Sequence, residues 1–360
     1  MMSFSGSYQP EDTVFLLKPI PLAMIDIVSK ERLIQSGVRH YSELLSPEHI
    51  PGPAYLKLFK ALTTRYAQRL ATEIMGLAQY LIKTRPRQIT IVSLARAGTP
   101  IGALLARALR TLGRNDVCHY SISIIRDRGI DQNALKFILR REQRESAGLA
   151  FVDGWTAKGV IAGELRCALH DWNASQFEQL DESLHVVSDI GGVADIAATD
   201  DDYAIPSGIL NATVSGLTSR SILNDTISQT DFHGCVFYEQ FRRHDHSRWF
   251  LDQVAAYFNN VAPQPVCCDP DQRLERRRIM VNFLDKIRSD YHIGNKNFIK
   301  PGVAEATRVL LRRMPDVLLL RDPEHPDVEH LCLLAGEKQI PVVIDPAMPI
   351  QAAALIKDLS

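Results

Sequence analysis

No CxxC pair occurs in this chain. Its six cysteines (118, 167, 235, 267, 268 and 332) are scattered, only Cys267 and Cys268 being adjacent. That spacing indicates neither a disulfide framework nor a zinc site. An excess of charge of either sign is also missing: 41 Lys and Arg against 42 Asp and Glu leave a net charge of −1. The whole chain is therefore not steered toward nucleic acid or membrane, and local charge must carry any such argument. Apolar runs are short, as at 317–320, and cannot span a bilayer. The opening residues, Met1 to Ser7, lack the basic and apolar regions of a secretory signal. Internal repeats and low-complexity tracts are absent too. The chain reads as cytoplasmic, with no membrane contact; its oligomeric state is not legible.

What is present is 360 residues, 46% hydrophobic and 23% charged, enough for two or three domains with substantial cores. Pro53 starts an amphipathic pattern (Leu56, Phe59, Leu62, Tyr66, Leu70, Ile74, Leu77, Leu81) that predicts a helix to about residue 82. A strand over 88–94, a turn over 95–100 and a helix over 101–112 follow. A second strand is expected over 117–125, then Asp131 as the cap of a helix over 132–143. A third short apolar run ends at Asp153. Strands alternating with helices predict a parallel, doubly wound α/β sheet, with ligands at the carboxyl ends of the strands.

Three polar turns fall on that edge: Ala95, Arg96, Ala97 and Gly98; then Arg126, Asp127, Arg128 and Gly129; then residues 153–159. In the last, an acid is followed by Gly154, Trp155, Thr156, Ala157, Lys158 and Gly159 and then by a helix. A strand, a tight turn and a helix N-terminus present backbone N–H groups to a phosphate. This stretch resembles the phosphoribosyl-diphosphate loop of type I phosphoribosyltransferases, with Val152 standing where a second acid is usual.

Residues 184–260 are less legible. Asp200, Asp201 and Asp202 suggest a solvated acidic turn, and 209–220 a helix of small residues. Ser207, Asn211, Ser215, Ser219 and Arg220 fall at roughly helical spacing and are candidates to line a pocket. A stretch rich in Pro and Cys over 261–270 reads as a linker. Beyond it, 273–313 holds eleven basic residues against four acids, a net of +7, whereas 314–345 has a net of −5.

Taken together, Ser-Leu-Ala-Arg-Ala-Gly-Thr-Pro at 93–100, the run 119–131 containing Arg-Asp-Arg-Gly-Ile-Asp, Phe-Val-Asp-Gly-Trp at 151–155 and Thr-Val-Ser-Gly at 213–216 resemble the StiP family. These are bacterial proteins associated with tellurium-resistance-type stress operons. The family carries the label of a cysteine protease and is also described as a phosphoribosyltransferase-like domain fused to a Pelota-type RNA-binding domain. The resemblance implies a type I phosphoribosyltransferase-like parallel sheet with flanking helices over 1–265, and a small α-β-α Pelota-like domain over 275–360.

That resemblance implies phosphoribosyl transfer from phosphoribosyl diphosphate, with magnesium, to a base or nucleoside-like metabolite. Asp153 and Thr156 would be catalytic, with Asp153 and Asp127 at the metal. Ala95, Arg96, Ala97, Gly98, Arg126, Arg128, Gly154, Trp155, Ala157, Lys158 and Gly159 would bind the diphosphate sugar. Ala157 stands where the family has a glycine, which restricts the turn if φ > 0 is needed there. RNA contact would come from Lys296, Lys300, Gly302, Glu305 and Arg308, with Ala304 in place of the asparagine of the Pelota-type signature. Two other functions fit the same chain. One is a binding protein that senses a nucleotide or phosphosugar and RNA without turnover. The other is a cysteine hydrolase, for which His233 and Cys235 supply a His two residues before a Cys. A buried structural thiol is the expectation for Cys235, and all six cysteines are expected to be dispensable.

Overall fold

The computed structural model describes residues 4–358. In chain order its strands and helices are β1 (Val14–Leu16), β2 (Lys18–Pro19), α1 (Ile27–Gln35), α2 (Pro53–Thr84), β3 (Ile89–Ala95), α3 (Gly98–Thr111), β4 (Val117–Ile125), β5 (Gly129–Ile130), α4 (Gln132–Lys136), β6 (Leu149–Thr156) and α5 (Val160–Ser175). There follow β7 (Leu184–Asp189), β8 (Ile196–Thr199), β9 (Gly234–Cys235), α6 (Ser247–Ala255), α7 (Pro270–Asp290), β10 (Ile299–Pro301), α8 (Val303–Arg312), β11 (Pro315–Leu320), α9 (Glu329–Lys338), β12 (Val342–Ile344) and β13 (Ala352–Ile356).

The main sheet runs β1-β4-β3-β6-β7-β8, with β5 folded back on β4. Every pairing along that path is parallel, with Val92 opposite Tyr120 on one side and Phe151 on the other. Such strands are covered on both faces, which is why β3 reads as an almost unbroken apolar run and is buried nearly throughout. Helix α2 starts with Pro53 at its first turn, where a missing N–H costs nothing. It lays Phe59, Leu62, Leu70, Ile74, Leu77 and Leu81 into the core. The mixed α/β class and the mostly parallel sheet are therefore as expected from the sequence.

Helix α3 begins at Gly98, three residues before the expected start. A Cβ on Gly98 would lie 2.5 Å from the Val152 carbonyl oxygen, so only glycine lets the turn after β3 press against β6. Asp131 accepts from the N–H groups of Asn133 and Ala134, the cap read from the sequence. The helix behind it is short, however, and gives way to a π-type turn over Phe137–Arg141. The small-residue segment 209–220 is not a helix; it holds one 3-10 turn, Ala212–Val214.

The second sheet has the order β10-β13-β11-β12. Its helix α8 does not stand apart. Val303, Ala306, Val309 and Leu310 join Tyr55, Tyr203, Ile205 and Leu210 in one apolar cluster. The stretch 261–270 is likewise no loose linker. The Gln264 side chain donates to the Ala198 carbonyl (3.1 Å), its backbone crosses α2 at Gly76, and Cys267 bridges Ala197. The acidic run 200–202 is also tied down. Asp200 pairs with Arg276 and Asp201 with Arg69, while Asp202 accepts N–H groups from Val303 and Gln351, each at 2.8 Å. Among the described residues no helix is long and apolar enough to cross a membrane.

Candidate functional site

The carboxyl ends of β3, β4 and β6 open on a cleft whose far wall is the second sheet and α8. Two cavities, of about 540 and 380 Å³, share Tyr41, Lys300, Glu305, Arg308 and Arg313 and so form one groove. Arg96, Arg126, Asp153, Trp155, Thr156, Ala157, Lys158 and Gly159 line it, which unites the three turns that the sequence placed on one edge. Ala95, Ala97, Gly98, Gly154, Asp127 and Arg128 do not line it. Arg128 is drawn away by Glu43 (2.5 Å) and the Leu223 carbonyl (2.8 Å).

The 153–159 segment is not the phosphate cradle expected from the sequence. β6 continues past Asp153 because Trp155 and Thr156 pair with Ser188 and Asp189 of β7. Only residues 157–159 turn, and the positive φ (79°) falls on Gly159, so Ala157 is under no strain there. Ala157 instead packs with Met280 and Phe283 of α7. Lys158 is also committed. Its Nζ donates to the carbonyls of Lys296 (2.9 Å) and Ile299 (2.7 Å), a clasp between the two sheets. Burial, reinforced by Lys300, lowers its pKa to about 7.

Arg96 is no free diphosphate ligand. It is buried, pairs with Glu48 at 2.6 Å and donates to the Thr218 carbonyl at 2.7 Å. Arg126 lies 5.0 Å over the Tyr41 ring while its Nε holds Asp127 at 2.9 Å. Asp153 accepts from the Gly154 N–H (2.7 Å), and burial raises its carboxyl to about 7. Asp127 is exposed and bound to Arg126, whereas Asp153 faces the cleft. Among the described residues no group of three His, Cys, Asp or Glu side chains could hold a metal ion.

Glu305 joins the two walls. Its Oε1 accepts from Trp155 Nε1 (3.3 Å) and from Arg308 Nη1 (3.0 Å), and the Arg308 guanidinium lies 4.6 Å over the Trp155 ring. Burial would raise the Glu305 pKa, but Arg308 and Lys300 outweigh it and hold the carboxyl down to about 2. Gly302, at φ 91°, opens α8. Lys300, Glu305 and Arg308, taken from the sequence as RNA contacts, therefore face inward across the cleft. Lys296 remains exposed near Asp285 (3.4 Å). Of the five candidates at helical spacing, Asn211 and Arg220 line the cleft and the three serines do not. Lys30, Tyr41, Glu48 and Arg312 were missed because they come from segments without a motif; only their shared cavity relates them.

The thiols lie elsewhere. No residue lining the cleft is a cysteine. Cys235 is fully buried, and burial pushes its thiol up to about 12. His233 is half-buried, and its Nδ1 sits 2.7 Å from Ser123 Oγ. Burial lowers the pKa of this imidazole, and the nearby Asp131 carboxylate opposes that shift. The other buried His–hydroxyl pairs, His119 with Ser93 and His330 with Thr307, are sealed in the core.

The family described as tellurite-like stress resistance cysteine protease StiP matches residues 6–255 of this chain, and the PELOTA RNA binding domain matches 279–358. A protein of Acinetobacter baylyi named cysteine protease StiP is 42% identical over 369 aligned positions, covering 99% of this chain and 95% of that protein. These matches overturn the expectation of a phosphoribosyltransferase. The family and the relative carry the name of a hydrolase, and the turn at 153–159 is half strand and half clasp.

Proposed function

Because this chain belongs to the StiP family of stress-resistance proteins, we propose that it is a cysteine-type hydrolase whose N-terminal unit (1–265) is joined to an RNA-binding unit (275–360). We read the fold of the first unit as phosphoribosyltransferase-like in its strand and helix order alone, without that activity. The second unit we read as Pelota-like. The name shared by the family and the 42% relative is the observation that carries hydrolysis.

On this chain's own residues, His233 supports it as the general base. A base must be neutral and within reach of a proton to be moved. His233 is held neutral by burial, is half-exposed, and already contacts a hydroxyl. Cys235 lies two residues further on, in β9. In the reaction His233 takes the thiol proton and the thiolate attacks the substrate carbonyl carbon. The leaving amine departs with that proton, and water then releases the acyl group. The thiol is buried and protonated in this conformation, so the reaction requires that substrate first expose the Gly234–Cys235 strand. A specific observation favours Ser123 as an alternative nucleophile, its 2.7 Å contact with the imidazole.

Hydrolysis of an unfolded protein substrate by Cys235→Ala, Ser123→Ala and His233→Ala separates these readings. Cys235→Ala and His233→Ala are expected to lower turnover by about 10²–10⁴-fold with little change in unfolding temperature. Ser123→Ala should retain most activity. Loss confined to Ser123→Ala and His233→Ala transfers the nucleophile to the hydroxyl. Full activity in all three refutes the hydrolytic site.

RNA binding by the full chain is expected to depend steeply on salt, each phosphate contact contributing a log–log slope of roughly −0.7 to −0.9. Lys296→Ala, at an exposed position, should reduce that slope by about one contact for every structured RNA tested, whereas Lys300→Ala, which faces the cleft, should leave it unchanged. A slope unchanged by Lys296→Ala would place RNA elsewhere on the molecule.

A further inference from the structure

The larger cavity holds more positive charge than negative: eight Lys and Arg side chains line it against four glutamates, 31, 48, 305 and 337. Among the cations are Lys30 of α1, Arg96 after β3, Arg220, and Arg312 and Arg313 at the end of α8. Glu48 pairs with Arg96, Glu31 with Arg313, both within 2.6 Å, and Glu305 with Arg308 at 3.0 Å. Among the described residues Lys30, Arg220 and Arg312 have no ion-pair partner. Their nearest bonds are to neutral oxygens. Lys30 reaches the Arg312 carbonyl (3.3 Å), Arg220 the Leu44 carbonyl, and Arg312 the Asn211 side chain. Arg220 Nη1 is buried with no hydrogen-bond partner, and the guanidinium lies 5.3 Å over the Tyr41 ring.

Buried cations left unpaired are costly, and neighbours of like sign add to the cost. Burial, with Arg220 as the strongest like charge, lowers the Lys30 pKa to about 8, and burial brings Arg220 down to about 10. Arginine stays protonated at any working pH, so Arg220 remains charged in spite of its burial. A positive surplus around one cavity, with Lys30, Arg220 and Arg312 lacking ion-pair partners, suits a ligand with two or more negative charges. Guanidinium groups also match the oxygens of a phosphate.

We propose that this end of the cleft is a binding site for a phosphate dianion, either inorganic phosphate or a small phosphate monoester, held by Lys30, Arg220 and Arg312. Since Lys30 and Arg220 belong to the first unit and Arg312 to the second, the bound anion ties the two together. The site does not rest on the hydrolase reading, and either can fail alone.

The test is calorimetric titration of the full chain with inorganic phosphate and with glycerol 2-phosphate, using acetate at matched ionic strength as control. Saturable binding at or below about 1 mM is expected for at least one phosphate compound. Tighter binding of glycerol 2-phosphate would identify a monoester, and equal or weaker binding the free ion. Arg220→Gln and Arg312→Gln should each weaken binding at least about tenfold. Without ligand, at low salt, their unfolding temperatures should equal or exceed that of the unmodified chain, because each removes a repelled charge; structural arginines would lose stability instead. Should one of these variants misfold, Lys30→Gln reads the same site from α1. No saturable phosphate response up to about 10 mM, a response matched by acetate, or affinity untouched in the folded variants overturns the proposal.

Discussion

Replacing Asp202 by alanine is expected to destabilise the protein by about 3 kcal/mol and to loosen the second sheet from the first. One carboxylate oxygen accepts from the Val303 N–H at the start of α8, and the other from the N–H groups of Gln351 and Ala352 at the start of β13. Three backbone donors of one unit thus depend on a single side chain of the other. Alanine leaves them without an acceptor in a half-buried joint, and the desolvation cost of each falls on the folded state. Burial raises the Asp202 pKa to about 6 although the backbone donors pull it down, so part of the ion's benefit is already offset. Asn offers an amide N–H to at least one of these donors and should recover little. Urea unfolding measures the loss. Trypsin cleavage around 273–278 should accelerate in parallel, because Arg276 pairs with Asp200, two residues before Asp202. An unfolding midpoint like that of the unmodified chain would show that apolar packing alone holds the joint.

Asp153→Asn is expected to stabilise the protein by about 1–3 kcal/mol at pH 8 and to have almost no effect at pH 4. The direction follows from burial, which raises the folded carboxyl to about 7, while the unfolded chain titrates near its usual value of about 3.9. Between those values the unfolded state loses its proton and the folded state keeps it. Stability therefore falls as pH rises from about 4 to 7 and is level above that. Lys158, lowered to about 7 in the same cleft, acts in the opposite sense above pH 7. There the unfolded chain binds the proton that the folded chain has lost, and stability rises toward about pH 10. Asparagine keeps an oxygen for the Gly154 N–H, so the variant should lose the Asp153 share of the decline, keep the smaller Asp202 share between about pH 4 and 6, and retain the rise above pH 7. Chemical denaturation at several pH values checks both limbs. A decline as large in Asp153→Asn as in the unmodified chain assigns it to other groups.

The elements of the first sheet were legible because each strand carries its own signal. β3 and β4 fall within a residue of their expected bounds, since apolar continuity and flanking turns specify a buried parallel strand locally. The edge on which Arg96, Arg126 and Asp153 converge was legible for the same reason. The extent of β6 was not, because Gly154 and Lys158 read as turn residues and only pairing with β7 holds 155 and 156 in the ladder. Transferase chemistry was misjudged at that same segment. A strand, an acid and a glycine are shared by many α/β sites, and the family matches, not the motif, separate hydrolase from transferase.

By itself the sequence determined the α/β class, the parallel order of alternating strands and helices, the cap at Asp131 and the StiP family. All of these rest on short-range pattern or on strings of adjacent residues. Tertiary structure alone decided that Asp202 is a joint rather than a solvated turn, that Lys158 clasps carbonyls rather than phosphate, and that Lys30, Arg220 and Arg312 crowd one cavity. Those facts depend on which charges fold close to which partners, and Lys30 and Arg312 are 282 residues apart in the chain but meet through a single hydrogen bond.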